Sequence, residues 1–210
     1  GRELLNRKII RTKEDLSVLK PIKFVEDNHV YTLKNAQIMS VTQIMSPLNS
    51  KIYDGINNEV MKNAASRGTN VHYACEMYDS YNVSECKNEN INYFNAYKQF
   101  KTDYNVQTIK NEIKLFHKTL LFAGTIDLIS IVNGKVTLID IKTTAVLHNK
   151  LVAVQLAGYL DALRSYDLDV EQVAVLQLKN DGTYNYQVIE PDLKTFYACM
   201  RIKAWELIKD

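Results

Sequence analysis

Asp127, Asp140 and Lys142 flank a tight-turn signature, and their spacing suits phosphoryl chemistry. The dipeptide Asn133-Gly134 favours a two-residue type I′ turn between two alternating apolar runs. If that turn forms, Val132 pairs with Lys135, and counting outward sets Asp127 opposite Asp140. Residues directly opposed across antiparallel strands have Cβ atoms about 5 Å apart, and like charges there are destabilising unless neutralised. A divalent cation neutralises them. Two hard oxygen donors at that separation suit Mg2+ or Mn2+, ions that retain waters for chemistry. Alternation puts Lys142 on the face of Asp140, where an ammonium can approach a scissile phosphate. Read blandly, Asp140 and Lys142 form an ion pair at a strand end; the opposed Asp127 argues for a site.

Other residues join through the elements that carry them. With the preceding loop centred on Lys118 and Thr119, Glu112 falls opposite Thr125, on the face of Asp127. A one-residue slip would send it to the other face and leave it a solvated edge glutamate. Residues 22–33 alternate around a polar Glu26–Asn28 tip and read as a hairpin, followed by a helical turn that Ser40 caps and Pro47 ends. Helical periodicity covers 57–81, with Ala64, Val71, Cys75 and Tyr78 on one stripe, and again 84–104. Strand patterns cover 106–116, 121–132 and 135–142, the last apolar on both faces and therefore central. A helix over 149–166 buries Val152, Leu156, Leu160 and Leu163; strands at 170–178 and 183–189 and a helix after Pro191 complete the chain. The order αβββαβ predicts an α/β fold, a mixed central sheet flanked by helices. Residues 1–210 read as a single domain, with 1–56 as an N-terminal lobe of hairpin and short helix.

Composition bounds the partners. Lys and Arg total 26 against 24 Asp and Glu, so a basic surface for nucleic acid must be local. Three scattered cysteines, Cys75, Cys86 and Cys199, form no CxxC pair, so neither a structural zinc nor an iron-sulphur cluster is expected. They read as reduced thiols. No apolar run reaches the length of a membrane span, and GRELLNRKII has no apolar signal region, so an intracellular, membrane-free protein is expected. The leading Gly leaves an organellar targeting segment open.

The segment GTIDLISIVNGKVTLIDIKTT, with QLAGYLDAL after it, resembles the PD-(D/E)XK nuclease superfamily, specifically its RecB-like exonuclease branch. Gly68 to His72, Gly124 to Asp127, Asp140 to Lys142 and Gln155 to Tyr159 match that branch's four motifs in order, and Glu112 stands where it often places a glutamate. The Ser40-Val41-Thr42 segment and the closing helix look similar to phage-type and mitochondrial genome maintenance exonucleases. The resemblance implies a restriction-endonuclease-like core, with His72, Asp127, Asp140 and the Ile141 carbonyl holding Mg2+, for which Mn2+ substitutes. It sets Lys142 beside water or phosphate, with Glu112 as a further acidic catalytic group. Gln155, Tyr159, Arg67, Thr143, Ser40 and Thr42 become substrate-facing residues. Taken singly, His72 reads as a core or surface histidine, and Gln155 and Tyr159 as a solvated amide and a packed ring.

The implied activity is Mg2+-dependent DNA exonuclease action, from DNA ends or on single strands, in recombination, repair or replication. A protein of those pathways would be a further partner, and host cytoplasm the location if the chain is phage-encoded. Lys62, His148 and Lys150 flank the same elements and are candidates for phosphates, and Tyr53, Tyr73 and Tyr78 for base stacking. Two alternatives stay open. A structure-specific endonuclease would share the fold and the metal, and a non-catalytic DNA-binding protein would have kept the fold alone.

Overall fold

Turn and cap chemistry shape the N-terminal lobe in the computed structural model, which describes residues 6–210. After the short strand β1 (Lys8–Ile9), β2 (Lys23–Val25) and β3 (Val30–Leu33) pair antiparallel around the Glu26–Asn28 tip. Lys34 and Asn35, both at positive φ, lead into β4 (Ala36–Ile38), a third strand that the sequence does not announce because Lys-Asn is a weaker turn signal than Asn-Gly. Ser40 caps α1 (Val41–Ile44): its Oγ accepts from the Gln43 amide at 3.1 Å, and Gln43 Oε1 accepts from the Ser40 amide at 2.9 Å. Pro47 does not end the helical segment. It occupies the first turn of α2 (Ser46–Tyr53), where a missing N–H is no loss.

Next come α3 (Asn58–Tyr81) and α4 (Ile91–Asp103). Asn82 in the left-handed region stops α3, and a 3-10 turn at Asn88–Asn90 delays α4 beyond the Ser84 start expected from periodicity. Strands β5 (Gln107–Phe116), β6 (Ala123–Val132) and β7 (Lys135–Lys142) follow, then α5 (Asn149–Arg164). The chain finishes with β8 (Leu168–Asp169), which pairs parallel with β1, β9 (Gln172–Leu178), β10 (Tyr184–Ile189) and α6 (Leu193–Glu206). Asn133 and Gly134 have φ of 47° and 81°, and Val132 pairs with Lys135, as the turn signature requires.

The five-stranded sheet runs β10-β9-β7-β6-β5 and is mixed: β7 and β9 are parallel, joined by the α5 crossover, and the other pairs are antiparallel. Val136 to Ile141 of the central strand are all buried, which accounts for apolar residues on both of its faces. On one face Val152, Leu156 and Leu163 of α5 and Phe196 of α6 cover Ile113, Ile126, Ile129 and Leu138. On the other, Val71 of α3 and Phe94, Tyr97 and Phe100 of α4 cover Leu128, Ile139, Ile141 and Leu176. The fold is thus a mixed α/β arrangement with helices on both faces of the sheet. Val41 and Ile44 lie in the α5 core, so α1 belongs to the main body and not to a separate lobe.

Candidate metal centre

Strand alternation breaks at the acidic residues. In β6, Ile126 and Ile129 belong to the α5 core while Leu128 and Val132 belong to the α3 core, so the strand reverses faces at Asp127. Strand β5 reverses alongside it. Asn111 pairs with Leu128 and Ile113 with Ile126, and between them Glu112 has φ of 47°. Constant register across that step sets Glu112 opposite Asp127, not opposite Thr125, which pairs with Lys114. The loop before β6 is longer than counted because His117 organises it: its Nδ1 accepts from the amides of Thr119 at 3.2 Å and Leu120 at 3.0 Å. A left-handed φ costs a non-glycine residue about 1–2 kcal/mol, so its neighbours must hold Glu112 there.

The β6–β7 ladder ends at Leu128–Ile139, one step short of the expected Asp127–Asp140 pair. From there β7 continues beside β9, with Asp140 paired to Val175 and Ile141 to Leu176. The Ile141 amide instead donates to Asp127 Oδ2 at 2.7 Å, so the carboxylate takes the place of a backbone partner. His72, from α3, completes the cluster: its Nδ1 lies 3.2 Å from Asp127 Oδ1 and 3.6 Å from Glu112 Oε1. One ligand atom from each of His72, Glu112 and Asp127 falls within 4.8 Å of the others. Side-chain exposures of 24%, 22% and 11% leave all three within reach of an ion from solvent. Burial works against a charged imidazole, but the Asp127 charge and hydrogen bond, aided by Glu112, outweigh it and hold the His72 pKa well above the usual value.

Asp140 and Lys142 lie beside this cluster, on the strand face that α5 covers. Asp140 is 3% exposed, and its Oδ2 sits 3.0 Å from Lys142 Nζ without an aligned donor. Burial lifts its pKa to about 6, against the pull of Lys142 and with a further push from Asp127. For Lys142 burial opposes the charge, and Asp140 and Asp127 together raise its pKa regardless. Its Nζ donates to Gln155 Oε1 at 2.7 Å, and Gln155 Nε2 donates to Tyr159 OH at 3.0 Å. Tyr159 is buried against Gly124, where an added Cβ would come within 2.6 Å of its Cε1. One expectation is corrected by this chain of contacts: Tyr159 is buried beneath the site and not at its mouth, whereas Gln155, bonded to Lys142, is only half-buried. Of the implied ligand set, His72 and Asp127 converge, Glu112 joins them, and Asp140 stands with Lys142. The Ile141 carbonyl oxygen is 3.0 Å from His72 Nε2, which makes it an orienting partner for the imidazole.

Around the cluster the remaining candidates separate. Arg67 Nε lies 3.5 Å from Thr143 Oγ1, with its guanidinium over the Tyr93 ring, so this pair borders the site on the α3 side. Thr42, Asn49, Tyr53 and His148 line a cavity of about 200 Å3 on the α5 side, together with Lys142 and Gln155. Ser40 caps α1 with its hydroxyl oxygen, which leaves its O–H free to donate. Tyr78 stacks edge-on against Phe94, a packing role, whereas Tyr73, Lys62 and Lys150 are exposed. Tyr31 was not legible as a site residue: its hydroxyl meets Thr125 Oγ1 at 2.6 Å, and burial, with Glu112 and Asp127 nearby, raises its pKa. No local signal marks it, because the lobe that carries it docks on β6 from far away in sequence.

Among the described residues no helix is long and apolar enough to cross a membrane. No family model matches the sequence, and no curated protein does. Among solved structures the chain is similar to SSO0001, with a TM-score of 0.45 and 18% identity over 85% of this chain and 80% of that one, a likeness too distant to carry an argument.

Proposed function

We propose that this protein is a divalent-metal-dependent deoxyribonuclease, an exonuclease acting at DNA ends or on single-stranded DNA, on a restriction-endonuclease-like core. The observation that carries this reading is the convergence of His72, Glu112 and Asp127 within 4.8 Å, beside a half-buried lysine. Two carboxylates and one imidazole, the latter oriented by the Ile141 carbonyl, fit Mg2+ or Mn2+ better than a thiol-seeking metal. An ion held there supplies Lewis-acid polarisation of a phosphoryl oxygen and a more acidic water.

The chain's own groups do the rest. His72 gives up its proton so that Nδ1 has a lone pair to offer, while Nε2 keeps its hydrogen for the Ile141 carbonyl. Lys142, steadied by Gln155 and Asp140, presents a fixed ammonium to the charge that develops on the phosphate. Arg67 with Thr143 on one side and the cavity lined by Thr42, Asn49 and Tyr53 on the other offer donors to the flanking backbone.

The test is digestion of end-labelled linear, end-blocked and circular single-stranded DNA with Mg2+, Mn2+ or EDTA. Metal-dependent loss of linear DNA, with circles intact and Lys142→Ala inactive, is the expected result. Cut circles would replace the exonuclease with an endonuclease, and no cleavage with either metal would leave a DNA-binding protein as the better reading.

A further inference from the structure

Beneath the site, α3, α4 and β5 meet around one buried charge. The Asp79 side chain has no exposure, and an unpaired carboxylate in such a place costs several kcal/mol. Three side chains satisfy it. Lys101 and Tyr97 of α4 donate to its two oxygens, and Asn111 Nδ2 of β5 donates to Oδ2 at 2.7 Å. Lys101 Nζ also donates to Thr108 Oγ1 at 2.7 Å. The network therefore grips β5 at Thr108 and Asn111, beside both irregularities of that strand: the register shift between Thr108 and Lys110, and the left-handed Glu112. Asp79 follows His72 by close to two turns of the same helix, so the two side chains share a face. A single buried unit thus ties the helix that bears His72 to the strand residue next to Glu112.

Resting on the metal reading above, we propose that Asp79 and Asn111 form a positioning clasp that keeps Glu112 in its left-handed conformation and so preassembles the divalent-ion site. Without the clasp, Glu112 relaxes to an extended φ. A residue that regains ordinary alternation next to Asn111 carries its side chain to the opposite face of the strand, away from Asp127 and His72.

The experiment measures Mn2+ affinity by titration calorimetry, and the melting temperature in EDTA, for the wild type, Asn111→Ala, Glu112→Ala, the double variant and Tyr97→Phe. Asn111→Ala is expected to weaken Mn2+ binding roughly tenfold to hundredfold, the range for losing an outer-shell partner. It should weaken it no further in the Glu112→Ala background. Tyr97→Phe, which removes a bond to Asp79 from the α4 side only, lowers the melting temperature and leaves Mn2+ affinity alone. If Asn111→Ala does not fold, Asn111→Ser, polar but too short to reach Asp79, serves the same comparison. A wild type that takes up no Mn2+ overturns the metal reading and the clasp together. Equal affinity in wild type and Asn111→Ala, or a further loss in the Glu112→Ala background, overturns the clasp alone.

Discussion

Replacing Asp140 by Asn should make the metal-free protein more stable at alkaline pH and no more stable in acid. Asp140 is nearly fully buried, its Oδ2 has no aligned donor, and its pKa rises from 3.8 to about 6. The folded protein therefore holds this proton more tightly than the unfolded chain does. Below pH 3.8 both states are protonated and the advantage is complete; as pH climbs through about 6 the folded state surrenders the proton and the advantage is lost. About two pK units at 1.36 kcal/mol each come to about 3 kcal/mol, with the attraction of Lys142 already included because it lowers the same pKa. Asn keeps the shape of the neutral acid and cannot ionise. For a chain of this length each kcal/mol shifts the melting temperature by about 2–4 °C, so Asp140→Asn should gain about 6–12 °C at pH 8. Scanning calorimetry in EDTA at pH 4 and pH 8 reads both values. A variant that melts lower than wild type at pH 8, or whose gain is equally large at pH 4, refutes the assignment of an ionised, poorly solvated Asp140.

Two further outcomes follow from the same geometry. Mn2+ affinity should climb with pH, by up to about tenfold per unit while His72 still carries its proton, and calorimetry in buffers of different ionisation heat should detect proton release on binding; no release would place the ion elsewhere. Gly124→Ala should lose about 1–3 kcal/mol, since its Cβ would strike the Tyr159 ring, whereas Gly68→Ala meets only Thr143 Oγ1 at 3.8 Å and should gain up to about 1 kcal/mol of helix stability. Chemical denaturation compares the two, and equal effects would contradict the packing described.

Local chemistry made most of the elements legible. The Asn133-Gly134 turn, the Ser40 cap and the apolar run of β7 each depend on neighbours in sequence, and each appears where its residues predict. The site was legible only in part, because its geometry depends on departures from period-two alternation. Nothing in the residues around Glu112 announces a left-handed φ, and His117 lengthens a loop through bonds that a count from the turn cannot include. Asp79 carried no signal at all. Its partners Tyr97, Lys101 and Asn111 come from two other elements, and only the packing of α4 on β5 brings them to one carboxylate.

The departures share one physical consequence. Regular strands would have paired Asp127 with Asp140; the paired reversals of β5 and β6 instead turn Glu112 and Asp127 toward a helix that brings His72. That arrangement is costly for a metal-free protein. It sets two carboxylates against each other, keeps a glutamate at positive φ and buries Asp140 with incomplete solvation. Each cost has a visible counterweight: the His72 proton between the carboxylates, the Asp79 network behind Glu112, and the Lys142 ammonium beside Asp140. One of those counterweights is a proton, and on the metal reading proposed above a divalent ion would take over its work between the two carboxylates.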